Sequence, residues 1–173
     1  MSQDKLSEKE NLERGAIEEF SALFNDRLQR GKLEFKEHLK TPYPDLKCDL
    51  NDSDLYIEVA HAYGTSVDVR KVLRRDTSAE PSAEEDFKNT VSLNMDDRIV
   101  EPLNETIREH CNKDYMGEPC WLLVRIGNPL YDTSEFERFI NRIEIPSNNK
   151  FNEIWILCGP WKECGALQIW PTT

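Results

Sequence analysis

The stretch Pro44-Asp45-Leu46-Lys47-Cys48-Asp49-Leu50-Asn51-Asp52-Ser53-Asp54-Leu55-Tyr56-Ile57-Glu58-Val59-Ala60 decides the fold of this chain. Leu46, Cys48 and Leu50 alternate with Asp45, Lys47 and Asp49, and Leu55, Ile57 and Val59 alternate with Tyr56, Glu58 and Ala60. Period two is the signature of a half-buried strand, so the spacing predicts strands over about 45–50 and 55–63, joined by the polar turn Asn51-Asp52-Ser53-Asp54. The apolar set then faces a core, and Asp45 and Glu58 stand near matching levels on the other face. Such a pair is what a hard divalent cation needs, because Mg²⁺ prefers one or two carboxylates plus waters and phosphate oxygens. A hairpin with one solvated face accounts for the same alternation, so the flanking elements carry the decision.

Upstream, Ser7-Glu8-Lys9-Glu10 is a capping-box pattern, followed by Leu12, Ala16, Ile17, Phe20, Leu23, Phe24 and Leu28 at helical spacing. In helical projection Glu13 falls in the apolar stripe, where a carboxylate needs a partner or a metal. Glu18 lies on the opposite side, and neither it nor Glu19 raises that question. Residues 32–39 read as a weak strand, and Thr41-Pro42-Tyr43-Pro44 forbids helix and delivers an extended chain to Asp45.

Downstream, residues 65–76 read as a short basic helix carrying Arg70, Lys71, Arg74 and Arg75, and residues 77–85 as a polar loop. A second amphipathic helix is expected around 94–113, with Pro102 marking a kink or a late start. Cys120 to Ile126 reads as a buried strand. Asp132-Thr133-Ser134-Glu135 caps a further helix, and residues 152–158 and 166–170 complete the chain as two strands joined by a turn.

The chain has 173 residues, a length that fits one domain over 1–173, and its net charge of −11 opposes broad contact with a phosphate backbone. A polar N-terminus and the lack of any long apolar run predict a soluble cytoplasmic protein with no membrane segment. Five cysteines without a CxxC pair or a matched histidine read as reduced core thiols rather than as zinc ligands or a nucleophile. The four tryptophans read as core packing, and Arg125 faces either solvent or the acidic pocket.

The order helix, weak strand, strand with Asp45, strand with Glu58, helix, strand resembles the αβββαβ core of the PD-(D/E)XK, or restriction-endonuclease-like, superfamily. Pro44-Asp45 and Glu58-Val59-Ala60 resemble its motif positions, and the resemblance spans roughly residues 7–126, with a C-terminal helix and two strands as an extension. It implies an α/β fold and phosphodiester hydrolysis with Mg²⁺ or Mn²⁺ held by Asp45, Glu58 and a first-helix acid, Glu13. The motif lysine is missing, because position 60 is alanine.

Lys47, on the face of Asp45, is the substitute to position the attacking water, and its alternative is an exposed strand lysine. His61 falls on the opposite face from Glu58 and reads as a packed histidine. The basic segment at Arg70, Lys71, Arg74 and Arg75 is the expected contact to DNA or RNA. A second reading, raised by Ala60, is a catalytically silent nuclease-like domain that binds a protein partner, and a third is a binding domain with no nuclease ancestry.

Overall fold

In the computed structural model, residues 6–62, 97–127, 131–158 and 165–171 are described, and they form a mixed α/β arrangement of three α-helices and one six-stranded open sheet. Helix α1 (Glu8–Leu23) starts where the capping box places it. Ser7 Oγ accepts from the Glu10 N–H at 3.2 Å, and the Ser7 N–H donates to Glu10 Oε2 at 2.7 Å. One π-helical turn (Phe24–Leu28) follows, and Gln29, at φ 50°, ends it in the left-handed region. Gly31 then reverses the chain at φ 136°, and a Cβ there would collide with the Asn51 side-chain amide. Asn51 in turn accepts from the Lys32 N–H at 2.8 Å, which ties the entry of the first strand to the hairpin turn.

Strands β1 (Leu33–His38), β2 (Leu46–Leu50) and β3 (Ser53–Ala62) form an antiparallel meander. The β2–β3 turn is tighter than the sequence suggests. Leu50 pairs with Ser53, leaving only Asn51 and Asp52, at φ 53° and 66°, as the two residues of a hairpin loop with both φ positive. Leu46 sits across from Ile57 and Cys48 from Leu55, so apolar partners face each other and a slip of one residue would expose all four.

Helix α2 (Asp97–Cys111) precedes β4 (Cys120–Ile126), which lies parallel to β3. Pro102 lies inside α2 rather than at its start. Helix α3 (Thr133–Phe139) is capped by Asp132, which accepts from the Ser134 and Glu135 N–H groups. A 3₁₀ turn (Ile140–Arg142) leads toward β5 (Glu153–Cys158), parallel to β4, and β6 (Gly165–Trp170) closes the sheet antiparallel to β5. The strand order is β1-β2-β3-β4-β5-β6.

A core lies on each face. Ala16, Ile17 and Phe20 of α1, with Phe24, pack on Leu46, Ile57, Val59, Trp121, Leu123 and Trp155. Ile99, Leu103 and Ile107 of α2, with Phe136 of α3, pack on Ala60, Leu122, Val124, Ile154 and Ile156. Both faces of β4 and β5 are thus covered, which is why these strands read as continuous apolar runs instead of alternating.

Cys48, Cys111, Cys120 and Cys158 are buried, and burial pushes the thiols of Cys48 and Cys120 up to about 12. Trp121 and Trp155 are core residues, whereas Trp170 is 38 % exposed at the end of the edge strand. Among the described residues no helix is long and apolar enough to cross a membrane. The basic segment with Arg70, Lys71, Arg74 and Arg75, and the 77–85 loop, lie outside the described residues.

The face carrying α1 depends on its aromatic cluster, in which Phe20 stands edge-on to Trp155 at 5.3 Å between ring centres. Phe20 is fully buried. Phe20→Ala is expected to cost about 3–5 kcal/mol of folding stability, measured by urea unfolding, with the cooperative transition retained.

Candidate functional site

Extending the β2–β3 register by one residue beyond Leu46 and Ile57 sets Asp45 opposite Glu58. Backbone and side chain lock this pairing. The Val59 N–H donates to Asp45 Oδ2 at 3.0 Å, and the Asp45 N–H donates to Glu58 Oε2 at 3.3 Å. At this level a cleft of about 740 Å³ opens, lined by Glu13, Asp45 and Glu58 together with Lys9, Tyr43 and Tyr115 among others. The first turns of α1 form one wall and the segment after α2 forms another, so groups from both faces of the sheet meet there. Glu13 and Glu58 are the two buried charged residues among those described, 3 % and 6 % exposed.

Each acid has its own compensation. Lys9, one turn before Glu13 on α1, places its ammonium 2.7 Å from Asp45 Oδ1 and 3.0 Å from Glu13 Oε1. Its side chain is 76 % exposed, so the stem runs over the surface and only the tip enters the cleft. His38, at the end of β1, brings Nδ1 to 3.4 Å from Glu13 Oε2. Glu58 is served from the other wall: the Tyr115 hydroxyl donates to Oε1 at 2.8 Å, His110 Nδ1 lies 3.1 Å from the same oxygen, and Lys113 Nζ 3.8 Å.

These surroundings separate the protonation states of neighbouring carboxyls. Burial, and then the negative charge of Asp45, push Glu13 up to about 7 against the opposing pull of Lys9. For Asp45, burial alone would raise the pKa, but the Lys9 ammonium and the Val59 N–H outweigh it and hold the group below its ordinary 3.8. Glu13 therefore holds a proton to higher pH than an ordinary carboxyl does, beside an ionised Asp45. Burial and the charge of Glu58 drive the Tyr115 phenol well above its ordinary 10, so Tyr115 is a donor across the physiological range.

The structure thus brings Glu13, Asp45 and Glu58 to one cleft. Lys47 does not join them. Its ammonium pairs with Asp54 Oδ2 at 2.9 Å, and Lys47 is not among the residues that line the cleft. It lies two residues further along the strand, across from Tyr56, where the partly exposed side chain meets the acid nearest the turn.

Ala60 shares the face of Glu58 but belongs to the core under α2, 3 % exposed. His61 falls on the α1 face, as its position predicts, and burial followed by the charge of Arg125 pushes it down to about 4. Glu19, read from the sequence as needing no partner, has one. Both its oxygens accept from Arg125 Nη2, at 2.8 and 2.9 Å.

Sequence reading missed Lys9, His38, His110, Lys113 and Tyr115. Only Lys9 carried a local signal, since it stands four residues before Glu13 and must share its helix face. Taken as they stand, the described side chains include no group of three or more His, Cys, Asp or Glu arranged to hold a metal ion. Two of the three acids already share one cation, the Lys9 ammonium, and their hard oxygen donors are of the kind Mg²⁺ selects. Comparison of the chain with protein-family models, with curated proteins and with solved structures gives no match.

Two outcomes follow from this geometry. Because Glu13 titrates near 7 when folded and near its ordinary 4.5 when unfolded, the native state binds the extra proton between those values, and its contribution to stability is lost as pH rises through them. In thermal melts without divalent ions, the wild type should therefore lose stability relative to Glu13→Gln as pH goes from 4.5 to about 8; parallel curves would show an ordinary carboxyl. Ala60→Lys should destabilise the fold by ~3 kcal/mol or more, because its ammonium enters an apolar core, as chemical denaturation would register.

Proposed function

We propose that the cleft is the active site of a metal-dependent phosphodiesterase resembling the PD-(D/E)XK nucleases, acting on nucleic acid. The observation that carries this reading is the convergence of Glu13, Asp45 and Glu58, from a helix and two adjacent strands, on one cleft beside a lysine. The element order supports it as well: an antiparallel meander β1–β3 followed by a parallel β4, with α1 against one face and α2 against the other.

Asp45 and Glu13 would hold a Mg²⁺ or Mn²⁺ ion, with Glu58 beside them keeping free lone pairs for its waters. The chemistry such an ion supplies is acidification of a bound water and neutralisation of charge gathering on the phosphate. The remaining work falls to the chain. Asp45 is kept ionised by Lys9 and the Val59 N–H and is ready as a ligand. Glu13 has to release its proton before it can join, which couples metal uptake to pH.

Lys9 takes the role that the sequence assigns to Lys47. Its ammonium is already in the cleft, and its exposed stem lets it move from the carboxylates to a phosphate oxygen or the attacking water when a divalent ion replaces it. Tyr115 fixes the orientation of Glu58 from behind.

A second reading is favoured by the same lysine. The Lys9 pair completes the charge balance of Asp45 and Glu13 without any metal, and Ala60 is embedded in the core, as suits a silent domain that binds a protein partner. Calorimetric titration with Mg²⁺ and Mn²⁺, together with cleavage assays on single- and double-stranded DNA and RNA, separates the two. Asp45→Asn and Glu13→Gln should each weaken metal binding by about tenfold or more, the worth of one lost charged ligand, and abolish cleavage. Lys9→Met should abolish cleavage while metal binding persists. Absence of metal binding by the wild type at pH 8 would overturn the enzymatic reading and leave the silent one.

A further inference from the structure

The cleft has an acidic floor and an aromatic rim. Tyr43 lines it and is 40 % exposed, whereas most of the other aromatic residues among those described are buried. Its ring is not loose. It stacks on Tyr56 with 6.1 Å between ring centres and 21° between planes. Tyr56 is supported by Gly117, where a Cβ would come within 2.9 Å of the ring carbons, and Gly117 holds a φ of 101° that favours glycine.

The backbone adds stiffness. The Tyr43 N–H donates to the Lys40 carbonyl at 3.1 Å, closing a turn between two residues that line the cleft. The Met116 N–H donates to the Pro42 carbonyl at 3.0 Å, tying the segment after α2 to the loop that carries Tyr43. The result is a preorganised flat apolar face at the mouth of a site, flanked by the lysines Lys40 and Lys113 that also line it.

On the reading of the cleft as a phosphodiesterase site, on which this rests, we infer that Tyr43 is a stacking platform for an unpaired nucleobase, and that the polymer taken is single-stranded. Three features select that occupant. An aromatic face accepts any base but only when the base is out of its stack and unpaired. The cleft, at about 740 Å³, lies within the ~300–1,000 Å³ typical of small-molecule sites; that size suits one or two nucleotides and not a duplex.

Charge points the same way. Lys9, Lys40 and Lys113 face Glu10, Glu13, Asp45, Glu58 and Asp114 around the cleft, so with all these groups ionised acids outnumber bases. Broad phosphate contact of the kind that holds a duplex is therefore opposed, and affinity has to come from stacking, with Lys40 and Lys113 meeting the phosphates next to the stacked base.

The test is fluorescence anisotropy with a short labelled single-stranded oligonucleotide, as DNA and as RNA, against its duplex. Ca²⁺ replaces Mg²⁺ so that binding is read without turnover, and a parallel set uses EDTA. The wild type should bind the single strand more tightly than the duplex. Tyr43→Ala should lose roughly 5- to 150-fold in affinity, the span expected for one base–aromatic stack. Tyr43→Phe and Tyr43→Trp should retain it, while Tyr43→Leu, which still covers Tyr56 but has no π-face, should fall with the alanine variant. Equal binding by Tyr43→Ala and wild type, preference for the duplex, no binding of any single strand, or full retention by Tyr43→Leu would each overturn the platform. Its failure is separable from failure of the metal reading: Tyr43-dependent binding that persists in EDTA and in Asp45→Asn sustains the platform without a metal, whereas metal binding that requires Asp45, with no dependence on Tyr43, removes the platform alone.

Discussion

Desolvated negative charge at the end of the β2–β3 pair is the constraint around which the rest of the cleft is arranged. Glu13 and Glu58 are buried, and Asp45 lies between them with its carboxylate drawn in by the Val59 N–H. An unpaired buried carboxylate is too costly to persist, so every wall of the cleft contributes a proton or a cation. Lys9 reaches in from α1, Glu13 binds a proton more readily than an ordinary carboxyl, and Tyr115, His110 and Lys113 converge on Glu58. Elements that are otherwise separated by the sheet are tied to one another through three acids.

The two cores make this placement possible. Because the apolar residues of β2 and β3 face α1, that helix packs along them and its first turn is carried to the strand ends, where Lys9 and Glu13 meet Asp45. The opposite face of β3 carries Glu58 and then Ala60, and the apolar stripe of α2 covers the alanine. Immediately after α2 the chain turns polar at residues 112–115, and this is where it passes Glu58. Position 60 is taken up by helix packing, and the positive charge of Lys9 enters from the other side of the sheet.

Much of this was readable in the residues. The alternation around Asp45 and Glu58, the capping box at Ser7 and the position of Glu13 in an apolar stripe all describe local geometry, and the strands, the helix start and the buried carboxylate are found where those patterns put them. Lys47 shows where such reading stops. Sharing a strand face with Asp45 is a matter of periodicity, but the direction of a long flexible side chain is decided by the nearest opposite charge, which is Asp54 toward the turn. Glu19 is similar, since only the packing of α1 on β4 brings Arg125 to it.

The sequence by itself determined the α/β class, the order of elements, the two-residue period that pairs Asp45 with Glu58, and the helical period that buries Glu13, because these depend on backbone geometry repeated over neighbouring residues. Only the tertiary structure decided which cations answer those acids, that position 60 belongs to a core, and that Tyr43 is held flat by Tyr56 and Gly117 at the cleft mouth. Each of these joins residues far apart in the chain, and electrostatic and packing energies depend on distance in space, which no local periodicity encodes.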